Sequence, residues 1–164
     1  MKCLILSDSH GSPDRVRAVL SMHRDAEVLF FLGDGLSDLD EIQLPPTMAF
    51  FAVRGNCDFR TLLPDGTRAE KLGQITLCGR RILYTHGDLY GVKYHDLGLC
   101  RLLEEKEGDI VLFGHTHLPV ERYIHTERGG AYLFNPGALS GSLGSFGILT
   151  LTDAGVLFSH GTVR

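Results

Sequence analysis

Short apolar runs recur along the chain, and most of them stop at a glycine, an acid or a histidine. Leu4-Ile5-Leu6, Val28 to Leu32 and Ala49 to Val53 are continuous rather than alternating, as in strands covered on both faces. Between the first two lies Ser12 to Met22, where Val16, Val19 and Leu20 repeat at helical spacing. Ser12 stands as N-cap there, with Pro13 at the first helical position. Strand, helix and strand at this spacing imply parallel pairing with crossovers, which puts helices on the sheet faces.

The middle of the chain changes character. Arg68 to Leu72, Ile75 to Cys78 and Arg81 to Tyr84 are separated by Gly73 and by Gly79-Arg80, and they predict an antiparallel meander. Val92 to Glu107 predicts a second helix, with Leu97, Leu99, Leu102 and Leu103 toward the core and Gly108 as its stop. Ile110 to Phe113 is another buried strand. The last third is β-rich, with strands over Val120 to His125, Ala131 to Phe134, Gly147 to Leu151 and Val156 to His160. Residues 137–145, rich in glycine and serine, form a surface loop between strands. The expected fold is α/β: a four-layer α-β-β-α sandwich of two mixed sheets flanked by helices, with residues 1–164 as a single domain.

Composition narrows the function classes. A chain of 164 residues with ordinary apolar content supports one core and excludes disordered or collagen-like classes. A net charge of −4 gives no electrostatic footprint for nucleic acid. No run is long enough to span a membrane, and the N-terminus lacks the pattern of a secretory signal. Cys3, Cys57, Cys78 and Cys100 form no C-x-x-C pair, so the expectation is a cytoplasmic protein with free thiols.

The residues after the apolar runs carry the chemistry. Leu6 leads to Ser7-Asp8-Ser9-His10, Leu32 to Gly33-Asp34, Val53 to Arg54-Gly55-Asn56-Cys57-Asp58, Tyr84 to Thr85-His86-Gly87-Asp88, and Phe113 to Gly114-His115-Thr116-His117. The carboxyl ends of strands are where ligands bind in open α/β sheets. Extended backbone places residues two apart on one side, so Asp8 with His10, and His115 with His117, can share a target. A lone H-x-H pair is weak, but five such termini together point to a metal. Asp8, His10, Asp34, Asn56, His86, His115 and His117 make seven oxygen and nitrogen ligands, which suits two divalent ions sharing one carboxylate. The absence of thiolates among them argues against a zinc finger. Imidazole with carboxylate favours manganese, iron, zinc or cobalt over calcium or magnesium. The expected cofactor is a pair of divalent ions, manganese first, with iron, zinc, cobalt or nickel as alternatives.

Asp8-Ser9-His10, Gly33-Asp34, Gly55-Asn56-Cys57-Asp58, His86-Gly87 and Gly114-His115-Thr116-His117 resemble, in order, the signature of the calcineurin-like metallophosphoesterase superfamily. The short length, Cys57 and the later Asn135-Pro136-Gly137 resemble its small YfcE-type phosphodiesterase branch. The resemblance implies that Asp8, His10 and His117 hold one ion, that Asn56, His86 and His115 hold the other, and that Asp34 bridges ions about 3.5–4 Å apart. It implies a phosphodiesterase in which a hydroxide held between the two metals attacks a small phosphate ester, with Asn56, Cys57, Asp58 and His86 at the reacting centre. Alternatives are a phosphomonoesterase and a non-catalytic protein-interaction scaffold on the same fold, as in the small retromer subunit.

Two departures from the superfamily pattern matter. Cys57 stands where a histidine commonly helps protonate the leaving group, and a thiol is a weaker donor. That predicts a preference for leaving groups of low pKa; a covalent role for Cys57 is the sharper alternative. Asp58 would orient the absent histidine and is here either a supporting partner or a turn carboxylate. Asp88 stands where many relatives carry another histidine. Arg54 either contacts substrate phosphate or is a solvated loop residue. His23, His95, His125 and His160 are expected to be surface or satisfied polar residues. The β-rich C-terminal third offers an edge for a possible homo-oligomer.

Overall fold

In a computed structural model describing all 164 residues, ten strands form two five-stranded mixed sheets. The first sheet contains β1 (Lys2–Leu6), β2 (Val28–Phe31) and β3 (Ala49–Ala52), with α1 (Pro13–Met22) as the first crossover. The second begins with β4 (Leu72–Leu77) and β5 (Arg80–Thr85) and continues, after α2 (Leu97–Glu105), with β6 (Ile110–Leu112), β7 (Pro119–Thr126) and β8 (Gly129–Pro136). The chain then returns to the first sheet with β9 (Gly144–Thr152) and β10 (Gly155–Val163). The orders are β10-β9-β1-β2-β3 and β4-β5-β6-β8-β7. The runs β1-β2-β3 and β5-β6-β8 are parallel, whereas β9 pairs antiparallel to β1 and the three hairpins are antiparallel. This is the expected four-layer sandwich.

Alternate residues of the continuous runs feed different cores. Cys3, Ile5, Val28 and Phe30 enter the layer between the sheets, where they meet Ile82, Ile110, Leu112 and Phe134. Their neighbours Leu4, Leu6, Leu29 and Phe31 face outward onto Val16 and Val19 of α1. Leu83, Val111 and Leu133 likewise face Leu99, Leu102 and Leu103 of α2. Strands covered on both sides cannot alternate in polarity, which is why these segments read as unbroken apolar runs.

Several boundaries differ from the sequence reading. The second helix begins at Leu97 rather than Val92. Gly91 sits at φ 68°, and its carbonyl accepts the Tyr94 and His95 N–H groups in a separate turn. Leu97 is 58% exposed, because the buried face of α2 is set by the 99, 102, 103 spacing and position 97 lies off it. Arg68 to Leu72 does not form its own meander strand: Arg68 and Glu70 make only the isolated bridges Leu62↔Arg68 and Val53↔Glu70, and Leu72 opens β4. Instead β4 runs unbroken through Gly73, which lies against the Tyr84 ring. Cys78 and Gly79, at φ 47° and 73°, make the two-residue turn into β5. Finally, β9 takes in Gly144 and Ser145, which the sequence placed in the loop.

Parallel pairing of β1, β2 and β3, and of β5 and β6, brings their carboxyl ends to one rim of the sandwich. Phe30 holds the two sheets together above it, with ring centroids 5.4 Å from Phe51 of the first sheet and 5.3 Å from Tyr84 of the second. Phe30→Ala is expected to cost about 3–5 kcal/mol in urea unfolding. A loss below about 1 kcal/mol would mean that this inter-sheet contact does not stabilise the sandwich.

Candidate metal centre

The residues after the strands adopt unusual backbone. Seven non-glycine residues have positive φ, and five of them are Asp8 (55°), His10 (42°), Asp34 (57°), His115 (66°) and His117 (62°). A left-handed conformation is costly for residues with a Cβ and persists only where surroundings enforce it. Here all five belong to the candidate ligand set. Gly33 and Gly55 permit the closest approach: a Cβ at Gly33 would collide with the Gly55 backbone, and one at Gly55 with the Asp34 carboxylate.

Two triads of ligand atoms result. In the first, Asp8 Oδ1 lies 3.1 Å from His117 Nε2 and 3.7 Å from His10 Nε2, and the two imidazole nitrogens are 3.4 Å apart. In the second, His86 Nε2 lies 3.3 Å from Asp34 Oδ2 and 3.1 Å from His115 Nδ1. Asp34 Oδ2 also lies 3.9 Å from His10 Nε2, so this one oxygen sits between the triads. Cys57 Sγ groups with His10 and Asp34 at ligand distance, although the sequence reading counted no thiol among the ligands.

The polar satisfaction of the carboxylates fits a cation pair. Asp8 is fully buried; its Oδ2 accepts from Ser7 Oγ at 2.5 Å and from His115 N–H at 3.1 Å, whereas its Oδ1 has no donor. A buried carboxylate oxygen without a partner is expensive unless a cation or a donor faces it. Here the atoms facing it are two histidine nitrogens. Asp34 Oδ1 accepts the Cys57 N–H at 2.7 Å and leaves Oδ2 for the shared position. The His86 ring is within 2.8 Å of the Leu32 carbonyl through Nδ1, so Nδ1–H donates there and Nε2 is the nitrogen left facing the triad.

Charges follow this geometry. Burial works against ionising Asp34, but the hydrogen bond and charge of His86, with the Cys57 N–H, hold its carboxyl far below the usual carboxylate range. Burial also works against charging His86, yet Asp34 and Asp8 raise its pKa. His115 is pushed down by burial and then by the charges of His86 and Lys93. The hydrogen bond to Asp34, with burial and nearby carboxylates, raises the Cys57 thiol and keeps it protonated. An unactivated thiol is a poor nucleophile.

The other residues expected at the site fall around the triads. Asn56 is exposed and donates its side-chain amide to Cys57 Sγ at 3.2 Å, not to a histidine or a carboxylate. Arg54 is half-buried, its Nε without a partner. Asp58 does not face the reacting side: its two oxygens accept four backbone N–H groups, from Asp34, Gly35, Leu36 and Gly55, at 2.7–2.9 Å. That ties the Asp34 loop to the Asn56 loop. Asp88 pairs with Lys71 Nζ at 2.8 Å, and Lys71 also donates to the Gly55 carbonyl at 3.0 Å. His160 bonds the Asn135 carbonyl at 2.8 Å and stacks on Phe134, in keeping with a satisfied polar residue.

Sequence reasoning misses Asp38 and Asn135 as organisers. Asp38 Oδ2 accepts from Ser9 Oγ and from the N–H groups of Gly11 and Ser12, holding the Asp8–His10 loop. Ser12 itself stands at the N-cap of α1 without a side-chain hydrogen bond. Asn135 is fully buried and donates to the Gly114 carbonyl at 2.8 Å and to Thr116 Oγ1 at 3.0 Å, bracketing His115. Position 38 follows Gly33-Asp34 by a few residues, but only the fold shows that both carboxylates face inward.

Metal loading requires neutral histidines, so a cation must displace the proton that the raised pKa of His86 retains. Apparent affinity is therefore expected to rise as pH climbs through that value. Calorimetric titration with manganese in two buffers of different ionisation enthalpy should show net proton release near neutral pH. Heats independent of buffer would contradict the His86 assignment.

Residues 1–154 match the model of the calcineurin-like phosphoesterase superfamily domain. The chain is 34% identical over 139 residues to a probable metallophosphoesterase of Bacillus subtilis, YsnB, covering 85% of this chain and 75% of that protein. It is 32% identical over 171 residues to the phosphodiesterase YfcE of Escherichia coli (strain K12), covering 91% and 87%. Its fold matches that of a novel archaeal phosphodiesterase with a TM-score of 0.75 at 19% identity, over 99% of this chain and 100% of that one. No helix is long and apolar enough to cross a membrane.

Proposed function

The chain belongs to the calcineurin-like phosphoesterase superfamily, and from that premise we propose that it is a metal-dependent phosphodiesterase acting on small phosphate esters in the cytoplasm, with its 164 residues working as one domain. The observation that carries this reading is Asp34 Oδ2 lying between His86 and His10, beside the donorless Asp8 Oδ1. Asp8, His10 and His117 would hold one cation, His86, His115 and Asn56 would hold the other, and Asp34 would serve both. Asn56 must turn its carbonyl oxygen inward to do so. Imidazole and carboxylate donors suit manganese, iron, zinc or cobalt, and manganese is the cation we propose. When bound, two divalent cations supply Lewis acidity toward the phosphate and a water that ionises near neutral pH.

The chain's own residues do the rest. Asp8 and Asp34 place two carboxylates where positive charge must gather, and the Leu32 carbonyl fixes the His86 tautomer that presents a lone pair. Asp58 keeps the Asp34 and Asn56 loops in register and acts as a positioning residue. Water adds to phosphorus, the P–O bond to one ester arm breaks, and the departing alkoxide takes a proton. Cys57, protonated and exposed beside Asp34, is the side chain nearest to that task, and it is a weak donor. The enzyme therefore favours arms that leave as stable anions, such as phenolates.

Assay with added manganese on bis(4-nitrophenyl) phosphate and on 4-nitrophenyl phosphate tests the class. Turnover should be higher on the diester, and Asp34→Asn or His86→Ala should lower kcat/KM by about 100-fold or more. Faster monoester hydrolysis would make the protein a phosphomonoesterase. No hydrolysis and no bound metal would favour a binding scaffold.

A second outcome concerns position 57. Cys57→His should raise kcat about 10-fold or more on a diester with an alkyl leaving group, while changing nitrophenyl turnover far less. Equal effects on both would remove the proton-donor role of this position.

A further inference from the structure

A cavity of about 720 Å³ opens beside the candidate metal centre, between the turn of residues 92–96 and the first residues of β7. Its volume falls in the range of small-molecule sites. Leu99, Phe113 and Leu133 form a buried apolar floor. Tyr94, 90% exposed, and Leu118, 66% exposed, stand at its rim. An ion pair between Arg122 and Asp96 spans from the start of α2 to β7 and lies in the same lining.

Two contacts place this groove next to the centre. Thr116, which lines it, lies in the chain between His115 and His117 and is held by Asn135. Val92, on the opposite wall, packs against Gly87, directly after His86. Lys93 lies in the same lining, and its positive charge reaches His115. A ligand in the groove therefore has its anionic end near the cations and Lys93, and its other end over apolar side chains. The cavity on the far flank of His117 is serine-rich, lined by Ser140, Ser142 and Ser145, and offers a ring less apolar surface.

Resting on the phosphodiesterase reading, we propose that this groove is the subsite for a flat aromatic arm esterified to the phosphate. A base or an aryl ring has two apolar faces and fits over Phe113 with Tyr94 beside it, whereas a polyol would leave its hydroxyls facing that floor unpaired. The groove then sets substrate preference without touching the reacting atoms, and Tyr94 and Leu118 are its specificity-determining residues.

Two esters with one leaving group test this: phenyl 4-nitrophenyl phosphate and methyl 4-nitrophenyl phosphate. The ratio of kcat/KM, phenyl over methyl, should exceed about 10 in the wild type and should fall at least about 10-fold in Leu118→Asp. The control Leu157→Asp, 68% exposed on β10, should keep the wild-type ratio. A Leu118→Asp ratio within twofold of wild type would overturn the proposal. A readout without turnover separates this from the parent reading. Titration with phenylphosphonate should shift the methyl resonances of Val92, Leu118 and Val120, and methylphosphonate should not. If neither ester is hydrolysed but those methyls shift, the catalytic reading fails and the subsite stands. Hydrolysis of both esters without methyl shifts overturns the subsite alone.

Discussion

One buried carboxylate, Asp34, sets the terms for everything around it. It is 3% exposed and has to remain ionised, so the fold must surround it with donors and positive charge. The Cys57 N–H takes one oxygen and His86 faces the other. Both come from segments that enter only because β3 pairs with β2 and β5 pairs with β6 in the facing sheet. The double sandwich is thus a device for bringing strand ends from two sheets to one carboxylate. The Phe30, Phe51 and Tyr84 rings join the sheets at the level from which those ends emerge.

Holding that geometry has a cost. Five of the convergent residues adopt left-handed backbone, each at about 1–3 kcal/mol. Three side chains that do not face the reacting centre offset it. Asp58 gathers four N–H groups, Asp38 gathers two with a hydroxyl, and Asn135 clamps Gly114 and Thr116. Hydrogen bonds to a charged acceptor contribute about 1.5–3 kcal/mol each, enough to maintain strained loops that neutral contacts would release. The proposed centre draws on carboxylates of two kinds: Asp8 and Asp34, each with one oxygen toward the histidines, and Asp38 and Asp58, which accept backbone N–H groups and hold the loops.

Much of this is legible in the chain. Unbroken apolar runs point to the parallel inner strands, because residues buried on both faces leave no polar alternation. The order of Asp, His and Asn after those runs points to the convergence at the rim. The true start of the second helix is not legible, because Gly91 can continue or break a helix and its left-handed turn is set by packing of the 87–92 segment against the Gly114 loop. The organising roles of Asp38 and Asn135 are hidden because each acts through loops brought close only in three dimensions. Residue type leaves Asp58 open between support and turn. Its four donors come from two separate loops, a count that no local pattern can supply. Cys57 is legible by type, as a poor acid, whereas its place next to Asp34 depends on the Gly33–Gly55 approach.

The most direct test is a crystal structure of the protein equilibrated with manganese, with anomalous scattering recorded at the metal edge. Two anomalous peaks should appear on either side of Asp34, one within reach of Asp8, His10 and His117, the other within reach of His86, His115 and Asn56. A single peak, or peaks that leave Asp34 outside the coordination of both ions, would contradict the account.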